Sequence, residues 1–419
     1  MQPGSKPDNE KFPILRAFHY PNFRYMWLGQ LGHSAAMWMD QILRPLLILE
    51  MTGSALQVGL VVSLMMIPAL FFGLFAGVIA DRYNKRNVLI INQLITLVMH
   101  LTLAALYLTG HLEVWHVYVT AFITGASMSF NQPTRQSMIP RVVPREIMFN
   151  AISLNNMAHH IMRIAGASLA GLLLIFFNYG EIYLVTALIF AAVIWVTYKI
   201  RLADSVTAPS PEKPIKAKTT LFSELIDGFR YVAHNPVIFY MVGLALLIYI
   251  FFMPYQQVYV PLLALNVLDV GRAGTGWLLT FSGIGALAGS LVVASLRQVH
   301  RRGLIQIGLL IAISGAMLLL AQSRWFPLSA LAMFLCGGIC TAYIALNTAI
   351  LMEKSDPKYS GRVMSLMSLD RGFVSLGAVM AGGLAELVGP QTGLTIFAAV
   401  LFTLTILMFI VFRRFRNIV

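Results

Sequence analysis

The chain has 419 residues, of which 58% are hydrophobic and 11% charged, and its 30 Lys and Arg against 17 Asp and Glu leave a net charge of +13. A soluble domain averages roughly 45–50% apolar and about 25% charged residues, so the composition excludes an ordinary soluble globular protein and points to the lipid bilayer. The basic residues lie between apolar runs, which argues for a membrane-topology signal and against a nucleic-acid surface.

Residues 1–23 form a polar tail containing Pro3, Pro13 and Pro21. It shows no charged-then-apolar signal peptide, so the first span is expected to act as an uncleaved insertion signal. Crossing the hydrocarbon core takes about 20 apolar residues as a helix. Such windows fall at 24–50, 56–80, 87–109, 114–138, 148–176 and 181–200, making a first half over 24–200. Residues 201–233, including "SVTAPSPEKPIKAKTT", are rich in Pro, Lys and Ser and read as a linker. Windows at 234–265, 273–296, 303–321, 326–352, 361–387 and 391–412 make a second half over 234–412, followed by a tail at 413–419. The predicted fold class is an all-α membrane protein with twelve transmembrane helices in two pseudo-symmetric six-helix halves.

With both termini inside, every Lys and Arg falls on the inner side except Arg272 and Arg324 outside and Arg44, Arg163 and Arg371 within spans. Loops rich in Lys and Arg stay in the cytoplasm, so the expectation is a multi-pass inner (plasma) membrane protein with cytoplasmic ends. Two short repeats support the division into halves. "GASLAG" (166–171) matches "GAVMAG" (377–382) in spans five and eleven, and "RPLLIL" (44–49) matches "VPLLAL" (260–265) in spans one and seven. Gly166, Ala170, Gly171, Gly377, Ala381 and Gly382 are expected to let helix backbones approach closely, either as fixed packing or as a sliding contact. Cys336 and Cys340, the only cysteines, read as small packing residues.

An ionisable group in mid-bilayer is costly and is by default a functional candidate facing a cavity. Asp40 and Asp370 are the two carboxylates well inside spans. Gln30, His33, Met37, Asp40 and Arg44 recur at three- and four-residue steps and form one polar stripe on span one. Span five carries Asn156, His160 and Arg163, with His159 alongside; span seven offers Tyr255, Gln256 and Tyr259; span eleven offers Asp370, Arg371 and Ser375; span three has only His100. Asp40 with Arg44 one turn away reads either as a proton site whose pair breaks during transport or as a fixed ion pair. Asp370 with Arg371 reads as a gate or structural pair. His159 and His160 point about 100° apart on a helix and are poorly placed to share a metal, so no metal and no cofactor is expected.

"AGVIADRYNKRNVL" (76–89) spaces Gly77, Asp81, Arg82, Lys85 and Arg86 more particularly than a basic loop requires. It resembles the G-x-L-A-D-R-x-G-R-K loop of the major facilitator superfamily, with Asn84 where that family has Gly; Asn tolerates a left-handed turn. "PTRQSMIPRVVPREIMFNAISLNN" (133–156), "GRVMSL" (361–366) and "GFRYVAHNP" (228–236) are similar to elements of the bacterial drug and siderophore exporter branch. Ala167 stands where exporters carry a Pro in helix five.

The resemblance implies a latch that holds the halves together on the cytoplasmic side, in which Asp81 bonds a partner at the end of helix four or eleven, with Arg135 and Arg362 as candidates. It also implies a cavity lined by helices one, four, seven and ten. Trp38, Asn131, Gln256, Gln257 and Tyr259 are expected to shape that cavity, with His33, His160 and Arg163 beside them. The expected function is secondary active export of a small amphipathic, drug-like compound by alternating access, driven by the proton gradient, in a monomer whose partners are substrate and lipid. Protonation of Asp40 would compete with substrate. An anionic siderophore bound by Arg44, Arg163 and Arg371 is the alternative within transporters. A membrane enzyme is not expected, since no GxSxG, HExxH or phosphate-cradling loop is present, and a non-transporting receptor or scaffold fits less well.

Overall fold

The computed structural model describes residues 13–73, 83–201, 230–295, 301–356 and 370–411. Each expected span has a helical run among them. These are α1 (Pro21–Thr52), α2 (Ala55–Met66, continuing to Gly73), α3 (Lys85–Leu108), α4 (Val114–Val142), α5 (Met148–Phe176) and α6 (Tyr179–Tyr198). The second set is α7 (Pro236–Asn266), α8 (Gly271–Ser295), α9 (Arg302–Gln322), α10 (Phe326–Lys354), α11 (Asp370–Val388) and α12 (Pro390–Val411). Among the described residues nine runs are long and apolar enough to cross a membrane, and the apolar Gly372–Val388 within α11 is shorter. The long helices α1 and α4 are more polar because they carry Asp40, Arg44 and Arg135. The expected linker lies mostly outside the described residues.

Turn chemistry sets the helix ends. Gly53 at φ 65° closes α1 in the left-handed region, and the Ser54 side chain then accepts from Gln57 N to open α2, giving a two-residue turn. Asn178 and Glu181 form a capping box at the start of α6. Asn84 is extended rather than left-handed, and its side chain accepts from Arg86 N as the N-cap of α3. The expected left-handed turn is thereby corrected: a cap needs β-region backbone, which Asn serves as readily.

Packing repeats six helices on. α3 lies against α4 and α6, and α9 against α10 and α12; α1 lies against α5, and α7 against α11. The halves meet where α2 packs on α11 and α5 on α8. The paired glycine motifs show how. A Cβ added to Gly166 would meet Ala35 O of α1 at 2.9 Å, and one on Gly377 would meet Ile250 O of α7 at 2.1 Å. One on Gly171 would meet Gly276 Cα of α8 at 2.6 Å, and one on Gly382 would meet Ala55 O of α2 at 2.5 Å. In each motif the first glycine packs within its own half and the second packs across.

The face where α1 begins is termed the near face, and the opposite one the far face. At the far face Arg272 of α8 pairs with Glu50 of α1, its Nε donating to Oε1 at 2.5 Å. Tyr179 Oη donates to the same Oε1 at 2.7 Å. Glu386 of α11 accepts from Ala55 N at 2.6 Å and Leu56 N at 3.3 Å, capping α2 across the halves.

Candidate substrate cavity and buried charge cluster

α7 is interrupted in mid-span. Pro254 supplies no N–H, and the run passes through a π-turn at Ile248–Phe252 and a 3-10 turn at Met253–Gln256 before resuming at Tyr259–Asn266. The Ile250 carbonyl, which Pro254 cannot bond, faces the bare Cα of Gly377. The break presents one of two consecutive amides to the other half and the second to its own half. Gln257 Nε2 donates to Gln41 Oε1 of α1 at 2.7 Å, and Gln256 Nε2 to Ser282 Oγ of α8 at 3.0 Å.

Around these amides lies a cavity of about 30 Å³ lined by Trp38, Gln41, Arg163, Gln256, Gln257 and Ser282, with Ile42, Leu279 and Gly283. It sits where α1, α5, α7 and α8 meet. In this conformation it has room for no more than a water or two, so a drug-sized ligand requires the halves to separate. Trp38 Nε1 and Gln257 Oε1 are buried without a hydrogen-bond partner among the described residues. Arg163 is half-buried and makes no hydrogen bond or ion pair among the described residues. An aromatic face, three amides and one available cation, with no carboxylate in the lining, suit a ligand that is apolar in body and rich in acceptors.

Asp40 and Arg44 face the other way, into the first half. Arg44 Nε donates to both Asp40 oxygens, at 2.7 and 2.8 Å. Its Nη1 donates to Thr120 Oγ1 at 2.9 Å and its Nη2 to Thr124 Oγ1 at 3.1 Å, both on α4. Both side chains are 0% exposed. The cluster also takes in His100 of α3, whose Nε2 stands 3.7 Å from Asp40 Oδ2. Sequence reading set His100 aside because a lone polar residue on an outer span gives no periodic signal.

The family described as transmembrane secretion effector, within the major facilitator superfamily, matches residues 14–417. This chain belongs to that family. Macrolide efflux protein A of Streptococcus pyogenes is 24% identical over 88% of this transporter and 90% of its own length. The multidrug efflux pump Tap of Mycolicibacterium fortuitum is 26% identical over 82% and 84%. The enterobactin exporter EntS of Escherichia coli O1:K1 / APEC is 25% identical over 95% and 94%. Among solved structures, the nucleoside transporter NupG has a TM-score of 0.71 at 15% identity, over 95% of this chain and 99% of its own. A bacterial homologue of the human lysosomal transporter Spinster has a TM-score of 0.68 at 14% identity, over 99% and 97%. The protein is therefore a transporter of the efflux type with the major facilitator fold, and not an enzyme.

Of the expected cavity residues in this secretion effector, Trp38, Arg163, Gln256 and Gln257 come together. The others lie elsewhere. Tyr259 is fully buried against Phe397 of α12, because the resumed helix turns it into the second half. Asn131 accepts from Arg135 Nε at 3.0 Å and stands 3.4 Å from His33 Nδ1, within the first half. His160 is exposed one turn before Arg163 on α5 and does not line the cavity. The described cavity draws on α5 and α8 rather than α4 and α10. Gln41 and Ser282 went unnoticed: Gln41 sits one residue off the polar stripe, and a lone Ser in an apolar span carries little signal.

Of the latch residues, Gly77, Asp81, Arg82 and Arg362 lie outside the described residues, as do the side chains of Asp370 and Arg371. Arg135 donates to the α1 carbonyls of Met26 and Gly29, both at 3.1 Å. Arg86 donates to Ile200 O at the end of α6 at 3.2 Å, and Lys85 is buried at the start of α3. Among the described residues these three cations brace the first half. α5 is continuous through Ala167.

Proposed function

We propose that this secretion effector exports a small amphipathic compound by alternating access, as a monomer in the inner membrane, in exchange for protons. The cavity carries this reading: Trp38, Gln41, Gln256, Gln257 and Arg163 converge where the two halves meet, and the Gln41–Gln257 bond that crosses it must break for a ligand to bind. The near face bears Arg24, Lys85, Arg86, Arg141, Arg145, Lys199, Arg301, Arg302 and Lys354, and the far face Arg272 and Arg324. That asymmetry supports a cytoplasmic near face and loading from the cytoplasm. The Asp40–Arg44 pair, buried beside the cavity wall, supplies the coupling element. Because it faces away from the cavity, coupling runs through movement of α1 rather than through competition for one carboxylate.

Uptake into everted vesicles tests this with three probes: a macrolide, a cationic dye and an enterobactin-type catecholate. At least one is expected to accumulate under an inwardly acidic gradient, to stop on adding a protonophore, and to fall about tenfold in affinity in Trp38→Ala, the loss of one well-packed aromatic contact. Accumulation of none, or accumulation indifferent to the gradient, overturns the reading.

Arg163 favours a second reading in which the cargo is anionic, as a catecholate is. A charge-assisted hydrogen bond contributes about 1.5–3 kcal/mol. Arg163→Gln is then expected to weaken the catecholate by about 10–100-fold and the cationic dye by less than about twofold. Equal losses for both probes count against it.

A further inference from the structure

We propose that the proton is taken up by His100, on its Nε2 atom facing Asp40, and not by Asp40 itself. This rests on the reading of the protein as a proton-coupled exporter and names the atom that carries the proton.

The tautomer follows from counting hydroxyl protons. His100 Nδ1 lies 2.9 Å from Thr186 Oγ1. Thr186 has one hydroxyl proton, and we place it toward Tyr183 O at 2.9 Å, which closes a bond within α6. With the proton placed there, Thr186 Oγ1 accepts from His100, and the neutral ring carries its proton on Nδ1 and a bare lone pair on Nε2. That lone pair has no hydrogen bond and points at Asp40 Oδ2 across 3.7 Å. Two acceptors face each other without a proton between them, at a distance a hydrogen bond would shorten to about 2.7–2.9 Å.

Asp40 is less suited to take the proton. Its two oxygens share the Arg44 Nε–H, and Arg44 is anchored in turn by Thr120 and Thr124. Protonating Asp40 would leave that guanidinium charged, buried and unpaired, which is costly. Protonating His100 instead adds an N–H to a carboxylate that has acceptor capacity left. The charged and titratable groups facing His100 among the described residues are Asp40 and Arg44 from α1 and Tyr183 from α6, whose ring lies 5.6 Å away. α4 contributes only the neutral hydroxyls of Thr120 and Thr124. His33 of α1 lies beyond Phe190, which stacks edge-on with both histidines.

The move is one proton from water to Nε2, giving an imidazolium that donates to Asp40 Oδ2, and the reverse on release. Asp40 and His100 are both 0% exposed, so the proton exchanges in another conformation and is held in this one. Closing the gap draws α1 toward α3 by about 1 Å, the difference between 3.7 Å and an ordinary charged hydrogen bond. Gln41 is the next residue on α1, so the same displacement acts on its bond to Gln257 in the opposite half.

Long-range proton–nitrogen spectra of protein labelled with 15N-histidine, in detergent between about pH 5 and 8, test the assignment. His100 is identified by the signals lost in His100→Gln or displaced in Thr186→Val, so either variant suffices. Near pH 8 the ring is expected to carry its proton on Nδ1, and Nε2 is expected to gain one as the pH falls. Thr186→Val removes the Nδ1 acceptor and is expected to switch the neutral ring to the Nε2–H tautomer. An Nε2–H tautomer in the wild type, or a ring that stays neutral down to about pH 5, overturns the proposal. No substrate or gradient enters this experiment, so its failure leaves the exporter reading standing. Conversely, a protein that binds this proton without gradient-driven transport would refute that reading alone.

Discussion

Among the described residues Asp40 is held by a single guanidinium that has no other anionic partner, and this makes it more exacting than an exposed carboxylate. Asp40→Asn leaves Arg44 charged and buried, an arrangement that typically costs about 3–5 kcal/mol. The variant is expected to unfold at markedly lower temperature in detergent, and Asp40→Asn with Arg44→Met to recover most of the loss. Equal stability of the single and double variants would mean that Thr120 and Thr124 satisfy the arginine alone. Sequence periodicity placed Asp40 and Arg44 on one face, and the helix geometry brings them together as expected. It did not tell which way the face points. A stripe at three- and four-residue steps marks a polar face, and that face turns inward to His100 and the α4 threonines. The cavity takes Trp38 and Gln41 from the adjoining face instead. Tyr259 was misplaced for a related reason: a helical wheel assumes unbroken 3.6-residue spacing, and the turns at 248–256 reset it.

Glycine decides how closely the helices that join the halves can approach. Gly171 meets the backbone of Gly276, with Ser168 and Thr280 hydroxyls in contact one turn further on, at 2.5 Å. Enlarging a packed site by methyl groups costs typically about 1–3 kcal/mol. That cost falls only on conformations in which α5 and α8 touch here. Gly171→Val is therefore expected to slow export by about tenfold or more with unchanged protein in the membrane. Gly308→Val, on α9 where an added Cβ meets nothing within 4 Å, is expected to have no effect. Similar losses in both would locate the defect in folding rather than in the helix contact. The helices themselves were legible to within a few residues, because apolar runs of membrane length are a strong signal; α5 was expected at 148–176 and is Met148–Phe176. The repeat was legible too, through a six-residue stretch with four identical positions in spans five and eleven. That the second glycine of each motif contacts the opposite half was not, since spacing reports that a helix is approached closely but not by which neighbour.

Across the whole molecule, the far face is closed by charge: Glu50 with Arg272, and Glu386 on the start of α2. The Arg272 and Glu50 side chains are 40% and 28% exposed, and exposed pairs contribute only about 0–1 kcal/mol. They bias the conformational equilibrium without locking it. With spin labels at positions 109 and 324, on far-face ends of opposite halves, Arg272→Gln is expected to raise the population of longer distances by up to about fivefold. High salt should move the wild type in the same direction, and an unchanged distribution in the variant would count against a far-face closure made by this pair. The i,i+4 placement of Asp40 and Arg44 bears on how the chain is made as well as on how it works. Each charge alone adds roughly 2.5–3.5 kcal/mol to the insertion of a helix by the translocon, and the partners on α3 and α4 are still unsynthesised when α1 leaves the ribosome. Because the pair closes within one helix, α1 carries its own counter-ion into lipid and can wait there, electrically neutral, until the threonines and His100 arrive to enclose it.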